Sequence, residues 1–290
     1  MEQILQSLRS RGYAADGANF PTGRPDRATL ALVMRTGEPA AAKVYPSGGG
    51  DITYANMQEL WRSSFGERRC PPGLPRPIEY LPDIRVLIME RVEGRPLMEL
   101  DTLDERTVDA ATRLVMSLHE CDAQPSKRRD SCRIVRSVKR KAECIAEIAP
   151  EMSGCCQQVV EALEAAQVND LELVPCHGDF SPRNVLVGPS RLVLIDWDRL
   201  QQADPARDVA HFGVWCWVRA LRRRSLPDWS VLDRGVAIYN SLHPGALAQA
   251  RLAFHIAAAL IRSAHDLVTM WPADAYLVPQ LAAEALRRLR

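Results

Sequence analysis

Residues 175–198 read PCHGDFSPRNVLVGPSRLVLIDWD, and this stretch decides how the rest of the chain is read. Two β-rich runs, Val185-Leu186-Val187 and Leu192-Val193-Leu194-Ile195, flank a turn, the pattern of a short hairpin. A hairpin brings its two ends together. Asp179 and Asn184 precede it and Asp196 follows it, so the pattern predicts these three side chains around one point. Their chemistry is complementary there. A carboxylate such as Asp179 can orient a hydroxyl and take its proton. An amide oxygen and a second carboxylate suit magnesium, a hard cation that prefers oxygen, held between nucleotide phosphates. These residue types at this spacing are what phosphoryl transfer needs.

Upstream of this stretch the chain reads first as strands. Residues 28–34 and 40–45 are β-rich runs on either side of the turn at 35–39. The glycine-rich break at 46–50 precedes an expected helix over 54–65, and a Pro-rich connector at 70–77 leads to a strand pair at 78–80 and 86–90. Ile4, Leu5 and Leu8 mark one face of a short helix at the start. From Leu103 onward helical periodicity dominates: Val108, Ala111, Leu114, Val115 and Leu118 recur at helical spacing, as do Val159, Leu163 and Ala166. The expectation is an α+β chain in two lobes, a small β-rich one over 1–93 and a larger, mainly helical one over 94–290, with the boundary near 93–96.

Composition narrows the function. With 37 Lys and Arg against 36 Asp and Glu, no global field points to nucleic acid or membrane. No run of about 18 apolar residues occurs, and the N-terminus lacks a basic-then-apolar leader pattern, so a cytoplasmic protein is expected. Eight cysteines without a Cys-x-x-Cys pair fit reduced, packed thiols better than disulfides or zinc. The basic segment 127–141 has no interleaved aromatic residues for base stacking. Arg133, Arg136 and Arg140 fall on one helical face opposite Ile134, Val135 and Val138, so a solvated face is expected. Four tryptophans (Trp215, Trp217, Trp229 and Trp271) fall late in the chain, where core packing is expected over a cage for a quaternary ammonium. The absence of GxxxxGK[ST] disfavours a P-loop kinase.

CHGDFSPRNVLV at 176–187 followed by LVLIDWD at 192–198 resembles the catalytic and metal loops of the aminoglycoside phosphotransferase family, small-molecule kinases with the protein-kinase-like fold. Ala41-Ala42-Lys43-Val44-Tyr45 is similar to the strand carrying the phosphate-pairing lysine, and residues 56–60 to the following helix. Residues 87–94 resemble the interlobe segment, Leu118-His119 the pair before the catalytic loop, and 204–210 the element after the metal loop. The resemblance spans about 30–213 and implies roles for seven residues. Asp179 acts on the hydroxyl, Asn184 and Asp196 hold Mg2+, Lys43 meets nucleotide phosphate with Glu59 as its ion-pair partner, and backbone near Glu90 and Val92 meets adenine. His177 and Asp208 are expected to support the loop, and Asp198 either assists the metal loop or faces solvent.

ATP, with GTP as the alternative, is the implied donor, and a hydroxyl of a small molecule (antibiotic, amino alcohol or sugar-like metabolite) the implied acceptor. No GxGxxG covers the phosphates; residues 20–25 stand in its place. From 201 to 290 the chain has eleven Arg and seven acidic residues, which argues against a polycationic acceptor. A pseudokinase is disfavoured by the intact Lys43, Asp179, Asn184 and Asp196. A protein kinase is disfavoured by the His-Gly-Asp loop and the missing Ala-Pro-Glu segment.

Overall fold

A computed structural model describes residues 1–20, 28–67, 72–100, 102–167 and 173–290. Among them the chain divides into two compact units that are not contiguous in sequence. The first is Met1–Pro96 with Cys121–Gln124 and Val185–Leu200; the second is Leu97–Glu120, Pro125–Asn184 and Gln201–Arg290.

In the first unit, helix α1 (Glu2–Ser10) precedes strands β1 (Ala14–Phe20), β2 (Thr29–Val33) and β3 (Pro39–Val44). Helix α2 (Gly50–Arg62) then leads to β4 (Pro77–Leu81) and β5 (Val86–Glu90). The five strands form one antiparallel sheet in the order β1-β2-β3-β5-β4. Strand parity explains its core. Leu30, Leu32, Ala40, Ala42, Val44, Val86 and Ile88 bury together with Leu8 of α1 and Tyr13. Lys43 lies between Ala42 and Val44, so its side chain leaves by the opposite face of the strand. β1 has no counterpart in the sequence expectation, because AADGANF contains no β-branched residue.

A short hairpin, Val185–Val187 against Leu192–Leu194, also belongs to this first unit, where its first strand pairs with Arg95–Pro96 as well. The Leu194 N–H donates to the Gly73 carbonyl at 2.8 Å, and Trp197 packs edge-on against Phe65. Backbone pairing therefore overrides the order of the chain. The sequence expectation had put this hairpin with the helices that surround it.

The second unit is built on α3 (Glu105–His119), α4 (Ser131–Ile148), α5 (Ser153–Ala165), α6 (Ala206–Arg222), α7 (Ser230–Leu242), α8 (Gln249–Met270) and α9 (Val278–Leu289). Asp104 and Asp130 cap α3 and α4, each accepting a backbone N–H at 2.8 Å from three residues on. α8 is buried on almost every side from Phe254 to Ile261, which makes it the central helix of this unit. α4 is amphipathic: Ile134, Val135, Val138, Ala142 and Ile145 are buried while Arg133, Arg136 and Arg140 are exposed. Trp217 stacks on Trp229 at 5.3 Å within this core, while Arg222 covers Trp271 and Arg288 covers Trp229. The tryptophans pack; they do not gather into one open cage. The seven cysteines among the described residues are free thiols. No described helix is long and apolar enough to cross a membrane.

Candidate active site

The catalytic loop grows out of the short strand Val174–Cys176, which pairs antiparallel with Gln201–Ala203. Asp208, in the first turn of α6, grips the bend that follows. Its two carboxylate oxygens accept the N–H groups of His177 (2.7 Å) and Gly178 (2.9 Å). His119 at the end of α3 adds a contact through Nε2 at 3.3 Å, and the other ring nitrogen of His119 meets Tyr239 of α7 at 3.0 Å. Burial works to raise the Asp208 carboxyl, but the His119 hydrogen bond and the charges of His119, His177 and Arg207 prevail and bring it down to about 2. Gly178 sits at φ 75°, the left-handed region in which a side chain is strained, and there the chain reverses. Asp179 follows, its N–H directed at His177 Nδ1 at 3.3 Å. Asp208 and His177 thus support the loop through its backbone.

The Asp179 carboxylate is buried and held by three donors of the second unit. Arg262 of α8 donates at 2.5 Å and also reaches the Gly178 carbonyl at 3.2 Å. Arg183 donates at 2.9 Å, and His211 Nε2 lies 3.1 Å away. Burial and the charge of Arg262 push His211 down to about 4 despite the pull of Asp179, so at neutral pH the imidazole is uncharged. A neutral ring facing a carboxylate must carry its proton on Nε2, which makes His211 a donor to Asp179. Asn184 closes the loop: its Nδ2 donates to the Asp179 carbonyl at 2.9 Å. That bond fixes the amide's orientation and leaves its Oδ1 as an oxygen that could hold a metal.

In the first unit, the residues after the hairpin build a second cluster. Asp196 adopts φ 67°, ψ 63°, left-handed for a residue with a side chain, and Trp197 is buried with its Nε1–H on the Leu194 carbonyl at 3.0 Å. With Trp197 anchored, Asp196 and Asp198 both reach Lys43, at 2.7 and 2.9 Å. The Tyr45 hydroxyl donates to Asp198 at 2.7 Å, and burial together with the Asp198 charge drives its pKa well above the ordinary tyrosine range. Two carboxylates around one ammonium leave a net negative, oxygen-rich cluster, the donor chemistry that suits a hard divalent cation.

Glu59 stands elsewhere. Its carboxylate accepts the backbone N–H of Gln124, and the expected Lys43–Glu59 ion pair is not formed. Helical phase is the reason: α2 buries Thr53, Met57 and Leu60, and Glu59 lies about 160° from Met57 around the axis. Thr53, on the buried face, is the α2 residue that approaches Asp198, at 3.4 Å. Glu90 ends β5 with its carboxylate on the Arg76 N–H (2.9 Å) and on Arg191 (2.5 Å). Val92, just beyond, makes no backbone hydrogen bond among the described residues. Residues 21–25 of the expected phosphate loop lie outside the described residues.

The family model for the phosphotransferase enzyme family matches residues 56–239, more than half of the chain. The chain belongs to the phosphotransferase enzyme family. Its enzyme class is accordingly small-molecule phosphotransfer. Among curated relatives of this phosphotransferase, an aminoglycoside 3'-phosphotransferase from Streptomyces fradiae is 30% identical over 182 residues, 58% of this chain and 68% of the relative. Among solved structures, an aminoglycoside-3'-phosphotransferase of type VIII matches with TM-score 0.61 and 23% identity, over 88% of this chain and 97% of that one. A thermostable aminoglycoside phosphotransferase mutant, in ternary complex with ADP and hygromycin B, matches with TM-score 0.68 and 14% identity, over 99% and 97%. At those identities the two structures speak to the fold.

Sequence reasoning missed Tyr45, Arg183, His211 and Arg262 in this phosphotransferase. His211 had a local signal, since it falls one helical turn after Asp208 on α6. Arg262 had none, being 83 residues from the carboxylate it binds.

Proposed function

We propose that this phosphotransferase transfers the γ-phosphoryl group of ATP, with magnesium, to a hydroxyl of a small molecule. The Lys43–Asp196 contact carries the reading, a 2.7 Å pairing of residues 153 apart in sequence. An ammonium and a carboxylate poised in this way can part company around a nucleotide, the lysine taking phosphate oxygens and the aspartate a cation. Adenine as the base is supported by the ADP-bound relative. The unbonded backbone of Val92, beside a Glu90 tied by Arg76 and Arg191, offers a fixed donor and acceptor edge.

Asp196 and the amide oxygen of Asn184 are the groups that would hold magnesium, which when bound draws charge from the phosphates and orients their oxygens. Asp179 supplies the acceptor for the substrate hydroxyl. Arg262, Arg183 and His211 hold that carboxylate in one orientation, so its contribution is chiefly positioning. Proton transfer is secondary where the transition state is loose and the nucleophile is hardly bonded to phosphorus.

The test is magnesium-dependent ADP formation by the purified chain across a panel of hydroxylated small molecules. Lys43→Met is expected to raise the KM for ATP and lower kcat about a hundredfold or more, through loss of phosphate neutralisation. A Lys43→Met variant as active as the parent would overturn the reading.

A further inference from the structure

The second unit contains a small, solvent-open pocket between α4, α6, α8 and the short strand Arg128–Arg129. Its lining is basic: Arg129, Lys141, Arg207 and Arg262, with His211 and His255, and no carboxylate among the described residues. Some of that charge is spoken for. Arg262 donates to Asp179, and His255 lies 3.2 Å from Asp204, a carboxylate also held by Arg251. Arg207 is different, since its guanidinium makes no hydrogen bond or ion pair among the described residues. Arg129 has only long contacts of 3.5 Å, to Gln201 and to the Arg133 carbonyl. Burial and the charges of Arg262 and Arg129 bring Arg207 down to about 10, and burial with the charges of Arg140, Arg262 and Arg133 lowers Arg129. Crowded like charges, with the Arg207 guanidinium unpaired among the described residues, are the signature of a site completed by an anion.

We propose that this pocket binds the anionic group of the phosphate acceptor, a hydroxylated small molecule carrying a carboxylate or a phosphate ester. The assignment rests on the phosphotransfer reading and names its substrate class. Two wall residues, His211 and Arg262, are also the donors that position Asp179, so an acceptor anchored here by its anion presents a hydroxyl to that carboxylate. Ile134 and Val138 of α4, with Ala258 and Ala259 of α8, line the pocket with carbon, which suits a substrate with an apolar body. A polycation would meet the like charges of Arg207 and Arg129. Arg129 and Lys141 come from the basic segment whose other cations, Lys127, Arg128, Arg133, Arg136, Lys139 and Arg140, face solvent, so that segment is more than a solvated face.

The test uses protein saturated with magnesium and AMP-PNP, so that the nucleotide site is filled before anions are added. Calorimetric titration compares matched probes: glycerol, glycerate and glycerol 3-phosphate; glucose, gluconate and glucose 6-phosphate; and kanamycin and choline as cations. The proposal expects the anionic member of a pair to bind at least about tenfold more tightly than its neutral counterpart. Arg207→Gln and, separately, the less enclosed Arg129→Gln should each erase most of that preference while leaving AMP-PNP affinity unchanged. Carboxylate against phosphate ester distinguishes the two sources of the charge. Tighter binding of neutral or cationic members, equal binding within every pair, no binding by any probe at 10 mM, or a preference untouched in both variants would overturn it. Failure of AMP-PNP itself to bind would instead strike the phosphotransfer reading, and the same titrations without nucleotide would still decide whether the pocket takes anions.

Discussion

Asp198 accepts from Lys43 and Tyr45 at the floor of the first unit's cluster, and removing one donor shows how much it depends on them. Tyr45→Phe deletes a buried hydrogen bond to a charged group and is expected to cost about 1.5–3 kcal/mol of stability, read from the urea midpoint. A loss under about 0.5 kcal/mol would mean that Asp198 is satisfied without it. His211 gives a pH signature. In the unfolded chain it takes a proton near 6.5, in the folded chain only near 4, so its contribution is whole above pH 6.5 and drains away as pH falls to 4. The loss amounts to about 3 kcal/mol. Asp208, lowered from 3.8 to about 2, adds a second loss at lower pH, as pH falls from 3.8 through 2. Unfolding midpoints at pH 7, 5 and 4 should therefore fall steadily, and His211→Gln, which keeps a donor for Asp179, should flatten that slope. An unchanged slope in the variant would show that His211 is not its source.

At the scale of elements, what could be read from sequence was what strand and helix periodicity report. Residues 29–33 and 39–44 are apolar runs buried on both faces, Ala31 and Ala41 as well as Leu30, Leu32, Ala40 and Ala42, so β2 and β3 stand where the β-rich runs lie. Lys43, the one charged residue within those two strands, was legible as a chemical residue for the same reason. Glu59 was misjudged because family order gives a residue's place along α2 but not its angle around it, and the buried stripe Thr53, Met57, Leu60 sets that angle. Contacts between helices were not legible at all. Gly213 of α6 is such a case: a Cβ placed there would lie 2.6 Å from the Leu232 Cβ of α7. Gly213→Ala is expected to destabilise by about 1–3 kcal/mol through overpacking, against the gain in helix propensity that an exposed glycine would show. A more stable Gly213→Ala protein, measured by thermal and urea unfolding, would mean that α6 and α7 separate more easily than their packing implies.

For the whole molecule, the class of fold and the chemistry were open to reading because one stretch, 175–198, holds most of the reacting groups in local order. The division into units was not, since hydrogen bonding draws Val185–Leu200 into the strand-rich unit although helices precede and follow it in the chain. The clamp on Asp179 was hidden for the same reason, its arginines coming from the catalytic loop itself and from α8. The excess of arginine after residue 200 spoke only against a polycationic acceptor, and it takes the pocket's lining to show that Arg207 and Arg262 are the two of those arginines that meet Arg129 and Lys141 there. The central claim is that Asp179 positions a hydroxyl for attack on ATP while other residues bind the nucleotide. The measurement that tests it most directly pairs single-turnover phosphoryl transfer from ATP with AMP-PNP binding in Asp179→Asn. The account expects transfer to fall by about 10²–10⁴ with AMP-PNP affinity within twofold of the parent. Transfer at the parental rate, or a variant that loses nucleotide affinity in step with its rate, would contradict it.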